Sequence, residues 1–174
     1  MNGLAILLAL LFAGQAPPAS QSRITRAALS GVEKTIDGHF ARANTPDSFE
    51  LLGNTRGVYL EGFGAVFSTE LNLIVSPNLS PFRPLFTKAE IARVHERKLR
   101  QLPLLKANMR QALVASAAAL ENLPPQEQIV LAVTLFHYSW EDSSGLPSQI
   151  VMQAERQKLQ SNATRETAIR TVEF

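Results

Sequence analysis

The longest helical pattern in the chain lies at residues 87–125, TKAEIARVHERKLRQLPLLKANMRQALVASAAALENLPP. Because it is the longest, this segment determines the fold. Thr87 is followed three residues later by Glu90, the capping-box pair that satisfies free amides at a helix start. Apolar residues then recur at helical spacing at Ile91, Val94, Leu102, Leu105, Met109, Ala112, Leu113, Ala117 and Leu120. The pattern predicts a long helix that ends before Pro124, with a kink or a junction of two helices at Pro103.

A second helical pattern lies upstream, between residues 23 and 43. Its apolar face consists of Leu29, Val32, Ile36 and Phe40, which are three or four residues apart. The turn-forming sequence NTPD at residues 44–47 is expected to end this helix, because proline disfavours helical geometry in the residue before it. The short apolar piece at residues 49–52 then predicts a first strand.

Two pairs of β-like segments flank the long helical pattern. The first pair lies within residues 59–75, where two glycines separate two strands and the second strand alternates between apolar and polar residues. The second pair comprises residues 129–140 and 149–153, joined by a turn at residues 141–145. Residues 129–140 are apolar on both faces, which fits either a covered central strand or a homodimer surface. We also expect a short helix at 155–160 and an edge strand at 168–174.

This order of elements predicts an α+β fold. Strands paired locally by hairpins form an antiparallel sheet, and helices gather on one side of it. We therefore expect a two-layer sandwich, in which an antiparallel sheet of two hairpins is covered on one face by the long, Pro103-kinked helix and the N-terminal helix.

The N-terminus predicts export. Leu4 to Ala13 is a run of ten apolar residues, which is too short for the roughly 20 residues of a membrane-spanning helix but typical of a signal peptide. The alternative is an uncleaved anchor. We expect residues 1–22 to be a secretory signal peptide and residues 23–174 to form a single domain, secreted or periplasmic after cleavage. The chain contains no cysteine, so packing alone must stabilise that domain.

Basic charge is concentrated on the long helical pattern. Between Arg83 and Arg110 there are eight basic residues and two acidic ones, whereas the whole chain has a net charge of +2. At 100° per residue, Arg93, Arg97 and Arg100 fall on one side of the helix, opposite its apolar face, and predict an exposed ridge. Such a ridge fits an acidic protein partner or an anionic membrane surface. Nucleic acid is not expected as a partner of an exported domain without aromatic residues on that ridge.

The sequence contains none of the common catalytic or metal-binding motifs. His39, His95 and His137 lie on three different elements without ligand spacing, and no serine or cysteine nucleophile motif is found. No metal or cofactor is therefore predicted, and the sequence favours a protein without catalytic activity. The alternative is an exported hydrolase, which would require Glu61, Glu70 and His137 to meet in a cleft.

A glycine-marked turn is the best candidate for a ligand site. Gly62 and Gly64 leave bare backbone beside aromatic side chains, which favours a groove for a small apolar ligand or a protein partner. The predicted groove lies under the proline-rich loop at residues 76–86. Its predicted ligand-binding residues are Tyr59, Gly62, Phe63, Gly64 and Phe67.

Overall fold

The computed structural model describes residues 24–75, 86–161 and 165–174. The predicted signal peptide and residues 76–85 of the proline-rich loop lie outside these ranges. The elements are α1 (Arg26–Ala41), β1 (Glu50–Leu51), β2 (Arg56–Leu60), β3 (Gly64–Asn72), α2 (Lys88–Ala119), β4 (Gln128–Leu135), β5 (Gln149–Glu155), α3 (Arg156–Gln160), α4 (Arg165–Ala168) and β6 (Arg170–Glu173). None of the described helices has the length and apolar character needed to cross a membrane.

The two principal helices form where the sequence predicts them. Thr25 caps α1, since its hydroxyl accepts a hydrogen bond from the Ala28 N–H at 3.1 Å. The capping box of Thr87 and Glu90 starts α2, with both reciprocal hydrogen bonds formed. The helix then continues through Pro103 as one element of 32 residues, so the predicted junction of two helices is not found.

The described strands form one mixed sheet in the order β1-β3-β4-β5-β6, with β2 also paired to β3. Both predicted hairpins, β2–β3 and β4–β5, are antiparallel, and β6 adds an antiparallel edge strand. However, β3 and β4 pair in parallel, because α2 carries the chain back along the sheet before β4 begins. The α+β class is confirmed, while the sheet is mixed rather than antiparallel.

One hydrophobic cluster joins the helices to a single face of the sheet. The inward residues of β3 include Ala65, Phe67 and Leu71, which contact the apolar faces of α1 and α2. The outward residues, such as Ser68 and Glu70, are exposed. This alternation is the one that the sequence pattern predicts for this strand, and it fixes which side of the hairpin faces the core.

The strand β4 is shorter than predicted. It ends at Leu135, whose N–H donates to the Ser148 carbonyl, and it does not reach Trp140. The aromatic residues beyond it lie in the loop before β5 and pack on one another: Phe136 contacts Tyr138 edge to face, and Tyr138 stacks on Trp140. Alternating aromatic residues are typical of a strand, but here ring packing within a loop produces the same spacing.

Candidate functional site

A cavity of about 700 Å³ opens at the end of the sheet where the parallel strands β3 and β4 begin. We call it the turn cavity. The turn between β2 and β3 contributes Tyr59, Glu61 and Gly62, and the segment between α2 and β4 contributes residues 121–125 and Glu127. Ile24 and Arg156 complete the lining.

Two glycines shape the turn on one side of the cavity. The Phe63 N–H donates to the Leu60 carbonyl at 3.0 Å, and Gly62 takes a φ of 77°, in the left-handed region that glycine tolerates. Gly64 has a φ of 138°, and a Cβ at this position would lie 1.9 Å from the Gln128 carbonyl oxygen. The bare backbone of Gly64 therefore allows β3 to approach the start of β4.

Backbone hydrogen bonds fix the opposite side of the cavity. The Glu127 N–H donates to the Pro124 carbonyl at 3.0 Å and closes a turn that the two prolines make rigid. The Gln157 N–H donates to the Pro125 carbonyl, and the Arg156 N–H donates to the Glu127 carbonyl, both at 2.9 Å. The start of α3 thus anchors the segment that carries Glu127.

The central polar contact of the cavity joins Tyr59 to Glu127. The Tyr59 hydroxyl donates to Oε1 of Glu127 at 3.2 Å. Burial raises the pKa of Tyr59, and the nearby negative charge of Glu127 raises it further, so the phenol stays protonated and remains a donor. Glu127 is only 9% exposed, and its second carboxylate oxygen, Oε2, is buried without a hydrogen-bond partner among the described residues.

The structure brings two of the five predicted ligand residues to the cavity. Tyr59 and Gly62 line it. Phe63 points elsewhere and is 44% exposed, while Gly64 faces the backbone of β4. Phe67 lies in the core because it is on the helix-facing side of β3. Residues 76–85 of the proline-rich loop, under which the groove was predicted, lie outside the described residues.

The acidic side of the cavity was not predicted from the sequence. Glu121 and Glu127 lie more than 50 residues after the glycine turn, and only the parallel register brings the two segments together. In that register Gly64 is opposite Gln128, so the residue before β4 necessarily lies beside the turn before β3. The sequence does show a glutamate, Glu127, directly before the buried strand β4. This position indicates a site only when the direction of β4 relative to β3 is known.

The predicted basic ridge is only partly exposed. Arg93 and Arg100 are exposed, and Arg100 lies 3.9 Å from Glu96, the pair expected from their spacing. Arg97 instead turns toward the loop after α1, where its guanidinium holds Asp47 through two hydrogen bonds of 2.5 and 3.2 Å. This ion pair neutralises the charge of Arg97 in the middle of the ridge, and binding of an acidic protein partner or an anionic membrane surface stays a prediction.

A second polar cluster lies at the opposite end of the sheet, between α2 and the loop after β4. Lys98 and Glu141 form an ion pair whose side chains are each 1% exposed, and the Lys98 ammonium also donates to the Phe136 carbonyl at 3.4 Å. Nδ1 of His137 is 3.8 Å from Glu141. Burial lowers the pKa of Lys98, and the carboxylate of Glu141 opposes that effect. This cluster joins the helix to the loop.

The residues of the hydrolase alternative do not meet. Glu61 lies in the turn before β3, Glu70 is exposed on the face of the sheet away from the helices, and His137 follows β4 at the opposite end. Nor do the described residues contain a group of three or more histidine, aspartate or glutamate side chains placed to hold a metal ion. The turn cavity is therefore the best-supported candidate site.

Comparison of the chain with protein-family models, with curated proteins and with solved structures finds no significant match.

Proposed function

We propose that the domain formed by residues 23–174 binds a small molecule in the turn cavity without transforming it. The cavity itself carries this proposal, since its volume of about 700 Å³ lies within the range of roughly 300–1,000 Å³ that is typical of ligand pockets. Its two sides are held by backbone hydrogen bonds, one at the glycine turn and one at the start of α3. A rigid, open cavity of this size favours binding of a ligand with little rearrangement.

The lining favours binding over catalysis. Among the described residues that line the cavity there is no serine, cysteine or lysine nucleophile and no histidine, so the glutamates and Tyr59 are its candidates for proton transfer. The apolar part of the wall is formed by Ile24, Leu123 and the two prolines that follow it. A ligand with an apolar body fits this wall, and the glutamates require that it also has a polar group.

We further propose that the domain is exported and acts in a bacterial envelope or outside the cell. The support for export comes from the apolar segment at Leu4–Ala13, and the absence of cysteine favours a bacterial envelope over an animal extracellular space. A processed protein would begin near residue 23, directly before Ile24 of the cavity lining.

Native mass spectrometry of the protein, purified without denaturation from its own source, tests the proposal. We expect a chain shortened by about 22 residues that carries the additional mass of one small molecule. The variant Asn122→Trp should lose this mass, because Asn122 is exposed in the lining and a tryptophan there obstructs part of the cavity. The matched control Asn54→Trp, on an exposed loop outside the cavity, should retain it.

The proposal is wrong if the purified protein carries no additional mass, or if Asn122→Trp and Asn54→Trp retain the molecule equally. An unshortened chain would contradict export while leaving the binding proposal intact.

A further inference from the structure

The charge of the turn cavity is opposite to that of the chain. The lining contains three glutamates, Glu61, Glu121 and Glu127, and one arginine, Arg156, although the chain as a whole has a net charge of +2. Low-dielectric walls focus the field of such a cluster and attract ligands of opposite charge. The cavity therefore favours a cation over an anion of similar size.

The preference of the cavity for a cation can be assigned to one atom of Glu127. The residue is nine-tenths buried, Oε1 accepts one hydrogen bond from Tyr59, and the buried Oε2 has no hydrogen-bond partner in the described part of the chain. Carboxylates are rarely buried to this extent unless they are paired, and a buried acceptor without a donor costs free energy. Oε2 can accept a hydrogen bond from a donor, and a charged donor would bind it more strongly because charge-assisted hydrogen bonds are the stronger kind.

The neighbouring arginine does not fill this role. One guanidinium nitrogen of Arg156 donates to the Leu123 carbonyl at 3.0 Å, and its buried Nε has no hydrogen-bond partner among the described residues, Glu127 included. The three glutamates also do not form a group that could hold a metal ion, judged over the described part of the chain. These observations favour a cation that brings N–H donors with it over a bare metal ion.

We infer that the turn cavity binds an organic cation, a primary ammonium or guanidinium group on an aliphatic chain, and that Glu127 is its anchor. This inference rests on the proposed binding function. The nitrogen donates to Oε2 of Glu127, the aliphatic chain lies against Leu123 and the prolines, and Glu61 and Glu121 add long-range attraction.

Isothermal titration calorimetry with 1,5-diaminopentane as the probe, and with 1,5-pentanediol as its neutral match, tests the inference. We expect the diamine to bind at least about tenfold more tightly than the diol.

Glu127→Gln keeps the size of the side chain and its contact with Tyr59 but removes the charge, so it should weaken diamine binding by about 10- to 100-fold. Glu96→Gln on the exposed surface of α2 removes an equal charge elsewhere and should change binding by less than about twofold. Far-ultraviolet circular dichroism confirms that the variants are folded.

Two results would overturn the inference. One is a diamine that does not bind or binds no better than the diol, and the other is a folded Glu127→Gln variant with unchanged diamine affinity. The proposed binding function is tested separately. It is supported if the purified protein retains a neutral or anionic molecule that Asn122→Trp loses, and it is wrong if nothing is retained.

Discussion

Gly64 lies beside the turn cavity, where the parallel strands β3 and β4 begin, and β4 approaches its backbone closely. Its φ of 138° and the 1.9 Å between an added Cβ and the Gln128 carbonyl oxygen exclude any side chain. The nearby Gly62 also has a positive φ, but a Cβ there would meet nothing within 4 Å. The two glycines thus have different roles, one in the turn and one in the contact between strands.

Substitution of Gly64 by alanine should therefore be strongly destabilising. We expect Gly64→Ala to lower the free energy of unfolding by about 2–4 kcal/mol, because a strained backbone and a clash with β4 add together. Gly31→Ala, in the exposed middle of α1 with open space around it, should instead raise stability by about 0.5–1 kcal/mol. Urea unfolding measures both values. Equal effects of the two substitutions would show that Gly64 is not a close contact.

The sequence identifies Gly62, Gly64 and Tyr59 as special, but it cannot assign their roles. Positive φ and a close approach both favour glycine, so the residue type alone does not separate a turn from a ligand groove or a strand contact. The burial of Phe67 follows from strand alternation, which already placed this residue on the apolar face. A residue on that face is core, and it was therefore a poor choice for a ligand contact.

At the scale of elements, local patterns predict most of the structure. Helical periodicity and caps locate α1 and α2, and alternation with turn residues locates the two hairpins. The direction of β4 relative to β3 depends instead on how α2 crosses the sheet, which is a contact between residues far apart in sequence. The acidic side of the turn cavity was missed for this reason, since Glu127 reaches Tyr59 only in the parallel register.

The buried ion pair of Lys98 and Glu141 holds α2 to the loop after β4, and its removal tests how the elements are joined. Lys98→Met leaves the Glu141 carboxylate buried without this ammonium, so we expect a loss of about 3 kcal/mol in the free energy of unfolding. Lys88→Met, in the exposed first turn of the same helix, should change stability by less than about 0.5 kcal/mol. Thermal or urea unfolding of both variants measures the difference. A Lys98→Met protein as stable as the Lys88→Met control would mean that the pair does not connect these elements.

At the scale of the whole molecule, the domain is stabilised by packing without disulfides, and a few buried charged side chains add to this stability. Glu33 on α1 is one of them: its carboxylate accepts from Arg26 at 2.6 Å and from the Gly57 N–H at 2.7 Å, and so joins α1 to β2. Burial raises the pKa of Glu33, but these hydrogen bonds and the charges of Arg26 and Arg56 outweigh burial and lower it below 4.5.

A folded-state pKa below the unfolded value means that Glu33 stabilises the fold above pH 4.5 and loses this contribution as the pH falls through its folded pKa. We expect Glu33→Gln to cost about 1–2 kcal/mol at pH 7, because Arg26 is largely exposed and solvent screens the pair. The cost should shrink below pH 4.5. Urea unfolding from pH 7 to pH 3 measures this change, and a cost that is constant with pH would contradict the assignment.

Above all, the turn cavity is expected to bind a cation through Glu127. A crystal structure of the protein grown with 1,5-diaminopentane shows whether it does. We predict an ammonium nitrogen about 2.7–2.9 Å from Oε2 of Glu127, with the aliphatic chain against Leu123. The claim is contradicted if the diamine is absent from the cavity and the Arg156 guanidinium instead donates to Oε2, because the carboxylate would then be an internal structural group and not a ligand anchor.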